Sequence, residues 1–173
     1  MPFIPFHEAF PDLAARETRT VTTRDSARLP AGSYTLIEMY CDEPDCDCRR
    51  VFFSVVSSNM SQIETVIAYG WESPDFYAQW MGDDDPDMAR MLKGPLLNRG
   101  SFHSDLAPAL LDLMETVVLQ DPHYIERIKT HYAMFRQAMA SKPKRGLPRY
   151  RSKRPRQKLT NAQKRQRKRQ RSH

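Results

Sequence analysis

The stretch Tyr34-Thr-Leu-Ile-Glu-Met-Tyr-Cys-Asp-Glu-Pro-Asp-Cys-Asp-Cys-Arg-Arg-Val-Phe-Phe-Ser-Val-Val56 decides the fold. Residues 34–40 and 51–56 are rich in β-branched and aromatic side chains and read as two strands. The segment between them is too short for a helical crossover, so the pair is antiparallel. That connection carries Cys41, Cys46 and Cys48, which are all the cysteines of the chain.

Working outward, residues 63–71 form a third strand and the β-branched alternation at 18–23 a fourth. Between 18–23 and the first strand, Asp25, Ser26, Pro30 and Gly32 mark a turn. A short helix is expected over residues 7–16. Past Trp71 the apolar period changes. Ser73-Pro74-Asp75 combines a capping hydroxyl, a proline at the first helical position and an acid in the first turn, and Asp85-Pro86-Asp87 repeats the signal. Gly94-Pro95 is a stop. Residues 104–120 read as an apolar helix with Pro108 near its start. Asp121-Pro122 opens a last helix, in which Ile125, Ile128, Tyr132, Phe135 and Met139 form one stripe, and Lys142-Pro143 ends it. Strands first and helices after predict an α+β domain: an antiparallel three- to four-stranded meander with the helical half packed on one face.

Charge divides the chain. From residue 141 to 173 there are fifteen Lys or Arg and no acid, while the first 140 residues hold twelve Lys or Arg against twenty-one acids. The body is thus −9 and the tail +15. Residues 1–140 are expected to fold as one domain, and 141–173 to be a disordered basic arm with almost nothing to bury. The densest positions, Lys153, Arg154, Arg156, Lys158, Lys164, Arg165, Arg167, Lys168, Arg169 and Arg171, are the candidate nucleic-acid contacts. Each cation placed on a phosphate releases counterions, so binding should be salt-sensitive. Tyr150 is the sole aromatic of the arm, which argues against base-specific reading of single strands. RNA, DNA and the ribosome fit equally. Contact with the protein's own acidic body, or a role in solubility, also stays open. A membrane partner is disfavoured because the arm has no apolar face.

Three thiols within eight positions predict a soft-metal clip, with Zn²⁺ as the expected cofactor. Cys41 ends one strand, Cys46 and Cys48 precede the next, and sharing one ion requires a sharp turn at Asp47. Asp42, Asp45 and Asp47 are local candidates for a fourth ligand, and His7, His103 and His131 distant ones. His103, on the segment after Gly100, is the favoured one. His131 reads as a histidine at the core edge, and His123 faces the other way. Arg49 and Arg50 should offset the negative charge of a thiolate site. A redox pair or a metal-dependent enzyme using the same cysteines is the competing reading, and an adaptor for a protein partner is a third.

The segment Tyr-Cys-x-x-Pro-x-Cys-Asp-Cys-Arg-Arg-Val resembles one found in a group of uncharacterised bacterial proteins, some of which end in a SEC-C zinc motif. The resemblance covers residues 34–56 well and the helical half, with residues 107–113 and His131-Tyr132, more loosely. It implies a metal-binding protein and supplies no catalytic residue. The Cys-Pro-Cys-Gly-Ser-Gly segment of a SEC-C tail is absent, and the basic arm occupies its place.

Other signatures are missing. The chain has no G-x-S-x-G, H-E-x-x-H, Walker A or G-x-G-x-x-G pattern. It lacks the H-x-E and P-C-x-x-C segments of zinc deaminases. Asp83-Asp84-Asp85-Pro86-Asp87 does not match a calcium loop and reads as a helix start, as do Glu72 and Asp75. Trp71, Phe76, Tyr77 and Trp80 read as core packing at a strand-to-helix joint. With no leader-like N-terminus and an odd, clustered cysteine count, a cytoplasmic protein without catalysis is expected.

Overall fold

The computed structural model describes residues 3–24, 28–43, 45–58, 62–82 and 85–141. All belong to one compact unit, Met1–Pro143. The arm residues 142–173, Asp83, Asp84, Pro44 and part of the turn before Gly32 lie outside the described residues.

The element order is β1 (Phe3–Pro5), α1 (Phe6–Ala9), α2 (Pro11–Glu17), β2 (Arg19–Thr23), β3 (Gly32–Cys41), β4 (Arg50–Ser57), β5 (Gln62–Gly70), α3 (Pro74–Met81), α4 (Pro86–Lys93), β6 (Leu96–Leu97), α5 (Ala107–Thr116), a 3₁₀ turn (Val118–Gln120) and α6 (Pro122–Ser141). The fold is α+β, with one antiparallel sheet. Its spine is β3-β4-β5, in the register Leu36↔Val55, Glu38↔Phe53 and Phe53↔Ile67. Alternation along the strands sorts side chains onto two faces. Tyr34, Leu36, Tyr40, Val51, Phe53, Val55 and Ile67 meet Leu110 and Met114 of α5 and Ile128, Tyr132, Phe135 and Met139 of α6 in the main core. Each large side chain fully buried there contributes about 1.5–3 kcal/mol. Phe52, Val66 and Ala68 form a smaller cluster on the other face with Phe3, Met39 and Leu96.

Both β1 and β2 pair with β3 on the same edge. β1 takes its end (Phe3↔Cys41, Pro5↔Met39) and β2 its beginning (Arg19↔Leu36, Thr23↔Gly32). The two lie in line, and the chain leaves that line to form α1 and α2. Ile37 and Glu38 fall in the gap. The expected single helix at 7–16 is therefore two, because Phe10 breaks the helical backbone and Pro11 starts the second helix. Pro11 has no N–H to continue a hydrogen-bond ladder, which suits a first-turn position.

The helix signals are realised in detail. Ser73 caps α3 by accepting from the N–H of Phe76, and Asp85 caps α4 by accepting from Asp87 and Met88. Asp121 accepts from His123 and Tyr124 at the start of α6. Gly94 closes α4 at a positive φ of 65°, where an added Cβ would sit 2.6 Å from the Ala68 carbonyl oxygen. The apolar run at 104–120 is interrupted: α5 ends at Thr116 and the chain tightens into the 3₁₀ turn. No helix among the described residues is long and apolar enough to cross a membrane.

Candidate metal centre

The cysteine loop joins the end of β3 to the start of β4. Cys41 is the last residue of β3 and fully buried. A turn closed by the Cys46 N–H donating to the Glu43 carbonyl brings the chain back. Arg49, just before β4, takes a left-handed backbone with φ 46°. That conformation is uncommon for a residue with a Cβ and needs external support. Arg49 supplies it by pairing with Asp47 and with Glu72 and by lying over the Phe76 ring at 4.6 Å. The sharp turn expected at Asp47 thus falls two residues later. It is locked by an ion pair across to the segment after β5.

The result is a compact trio. The sulfurs of Cys41, Cys46 and Cys48 all lie within 4.8 Å of one another, and all three residues are buried and free of disulfides. Tetrahedral thiolates about 2.3 Å from Zn²⁺ would be roughly 3.8 Å apart, so a small inward movement completes the geometry. These three residues can hold a metal ion.

The environment acts on the thiols in opposing directions. Burial pushes the Cys41 thiol up, against the N–H of Glu43, which donates to its sulfur and lowers it. Burial pushes the Cys48 thiol up to about 12, with its sulfur neighbours adding to the shift and the N–H of Arg50 opposing it. Thiols held neutral in this way make poor nucleophiles. The two backbone N–H groups are placed to stabilise thiolates once a cation compensates their charge.

The walls were only partly legible in sequence. Phe3 of β1 and Trp80 of α3 pack on the cysteines. Arg136 of α6 donates to the carbonyl oxygens of Cys41 and Glu43, fixing the first half of the loop. Tyr132 receives the Arg49 N–H and donates to Asp47. Tyr77 donates to the Arg49 carbonyl oxygen and accepts from the Glu72 N–H, so α3 is bolted to the second half. The four aromatics read as joint packing therefore surround the loop: Trp71 meets Tyr132 edge-on, Phe76 lies under Arg49, and Tyr77 and Trp80 brace the loop. A six-position spacing from Trp71 to Tyr77 says nothing of a loop twenty-odd residues upstream, so the contact was invisible without the sheet.

Several expected residues stand elsewhere. His103 is not brought to the cysteines. One ring nitrogen is 2.7 Å from the Thr65 hydroxyl and the other 2.9 Å from the Asn98 carbonyl, so both are engaged beside β5. The favoured fourth ligand is corrected accordingly. His7 is exposed on α1 and His123 exposed on α6. His131 is buried and bonded to Glu38 and Glu17. Glu72, read as a helix-start acid, instead ion-pairs with Arg49. Of the two expected guanidiniums, Arg49 is committed to carboxylates. Arg50 lies over Phe52, burial lowers its pKa against the smaller raising effects of Tyr77 and Cys48, and its Nε is buried without a hydrogen-bond partner. The ten basic residues of the arm lie outside the described residues.

No protein-family model matches the chain, nor does any curated protein or solved structure.

Proposed function

We propose that this protein holds one Zn²⁺ at Cys41, Cys46 and Cys48 as a structural clip, and that its basic arm tethers the folded body to nucleic acid. The metal half of the reading is carried by one observation: three buried, disulfide-free sulfurs gathered within 4.8 Å. Three thiolates favour a borderline-soft ion that accepts tetrahedral coordination, and Zn²⁺ fits both requirements without redox chemistry. The clip ties the end of β3 to the start of β4 and has α3, α6 and β1 as its walls. Its loss would therefore loosen several elements together. Three thiols this close would be prone to pair in an oxidising compartment, so the reading places the protein in a reducing one, the cytoplasm.

The arm half rests on the charge division of −9 and +15 in the sequence. Such density can neutralise many phosphates with little base preference. A redox or enzymatic role for the cysteines has less support, because the thiols are buried and burial raises Cys41 and Cys48.

The test is metal content per chain, by elemental analysis of untagged protein purified without chelator. Close to one zinc per chain supports the clip. Metal-free protein with three titratable thiols overturns it.

A further inference from the structure

The loop over residues 98–103 is fixed at its ends and bare in its middle. The Asn98 N–H donates to the Val66 carbonyl oxygen and the Ser104 N–H to that of Glu64, which holds both ends on β5. Ser101 closes the turn, its N–H donating to the Asn98 carbonyl oxygen at 2.9 Å and its hydroxyl oxygen accepting from the Asn98 side chain at 2.7 Å. His103 ties Asn98 to Thr65. Next to this bracing, Phe102 is 65 % exposed. It is the only aromatic among the exposed large apolar side chains of the described residues. A ring held in water by a braced backbone needs little further ordering when something stacks on it.

Arg99, on the same loop, is exposed, and its guanidinium makes no hydrogen bond or ion pair among the described residues. It borders an open groove of about 380 Å³, lined also by Arg90, Met91, Pro95, Leu96 and Leu97 and by no carboxylate. Of the acids on the flanking segments, Asp87 pairs with Arg90, and Asp105 stands exposed two positions past His103. An exposed ring and an uncommitted guanidinium three residues apart suit one unpaired nucleotide: the ring stacks on the base and the guanidinium takes the phosphate. A protein partner could use the same ring, but the +15 arm of this chain favours a polyanion.

We propose that this loop is a base-stacking contact, with Phe102 on the base and Arg99 on the phosphate, and that it makes the tethered nucleic acid single-stranded. This rests on the tether reading above. A duplex keeps its base faces within its own stack, out of reach of Phe102. One stacked base is too weak to hold nucleic acid by itself, so the arm supplies the affinity and the loop the choice of strand state.

The experiment titrates full-length protein with a mixed-sequence DNA oligonucleotide, once single-stranded and once as its duplex, at several salt concentrations. Charge alone predicts the opposite preference, because the duplex is the denser polyanion. The single strand is expected to bind more tightly. Phe102→Ala should cut that preference by at least about fivefold, the low end for one stacked base, and Phe102→Tyr should keep it. Arg99→Ala should lower the salt slope for the single strand by about one phosphate contact. A wild type that binds duplex as well or better would overturn the proposal. So would a Phe102→Ala variant with its preference intact, which would leave the ring to a protein partner. Failure of the wild type to bind either form at low salt would instead remove the tether reading, and the inference with it.

Discussion

The imidazole of His131 meets the carboxylate of Glu38 in the core, with Nδ1 2.7 Å from Oε2, although the two residues are 93 positions apart. Nε2 of the same ring is 3.1 Å from Oε2 of Glu17, and Phe6 stacks on the ring at 4.2 Å. One residue of α6 thus fastens β3 and the α1–α2 excursion together. The cavity beside it, lined by Phe6, Ala14, Thr18, Ile37, Glu38 and His131 among others, is only about 10 Å³. That is room for a water at most, so the cluster reads as a structural fastening.

His131 should make stability pH-dependent. Burial alone would lower its pKa, but the hydrogen bonds and charges of Glu38 and Glu17 outweigh burial and raise it above 6.5. A raised folded-state pKa means that the contribution is fully present below about pH 6.5 and is lost as pH rises through the raised value. Urea midpoints measured across that window should fall for the wild type relative to His131→Gln. Parallel curves for the two proteins would refute the assignment.

Tyr40 offers a sharper probe of the same network. Its hydroxyl is 2.8 Å from Glu38 Oε2 and 3.0 Å from the Ile128 carbonyl oxygen, within donating reach of both. Tyr40→Phe keeps the ring and leaves buried acceptors short of a donor. A loss of about 1–3 kcal/mol is expected from urea unfolding.

Gly70 lies at the end of β5 because nothing larger fits. A Cβ there would fall 2.1 Å from the Tyr77 hydroxyl oxygen, which serves Arg49 and Glu72. Gly70→Ala should cost about 1–3 kcal/mol through overpacking. It should also speed metal loss to a chelator, since Tyr77 braces the loop after Cys48. Unchanged chelator kinetics would separate Tyr77 from the centre.

Each of Cys41→Ser, Cys46→Ser and Cys48→Ser should abolish stoichiometric zinc and lower the melting temperature, and chelator should then have no further effect. The stabilisation lost is that of a ligand bound only to the folded state, about 2.7 kcal/mol at free zinc a hundredfold above Kd. A serine variant that retains a full equivalent of zinc would exclude that residue as a ligand.

Truncation at Ala140 should leave the melting curve of the body nearly unchanged, because the main core among the described residues runs from Ile4 to Met139. Nucleic-acid binding should vanish. For the full chain, affinity should fall by about 10³ or more between 50 and 200 mM salt if at least six phosphates are engaged. A truncated body that binds equally well in moderate salt would end the tether reading.

Periodicity made the spine of the fold readable. The expected strands at 34–40, 51–56 and 63–71 are β3, β4 and β5 within one or two residues, and the strand at 18–23 is β2. The stripe of α6 is buried as expected from Ile128 to Met139. The omissions have a common cause. β1 and β6 are three and two residues long, too short for any alternation to register. At the site, local spacing was enough to gather Cys41, Cys46 and Cys48. The long-range members were not legible: Phe3, Tyr77, Trp80, Tyr132 and Arg136 reach the loop only through sheet and helix packing. His103 failed as a ligand for the same reason, since its partners Thr65 and Asn98 are set by how the segment after β6 runs along β5.

The pairing of Phe3 with Cys41 has a practical corollary. Because Phe3 of β1 packs on the cysteines, anything joined to the chain ahead of it is tethered within a few residues of the first sulfur. A polyhistidine tag placed there would bring a string of imidazoles within reach of the three sulfurs, where they could compete for a metal ion. Metal stoichiometry and ligand exchange in such a fusion would then report the purification handle rather than the protein.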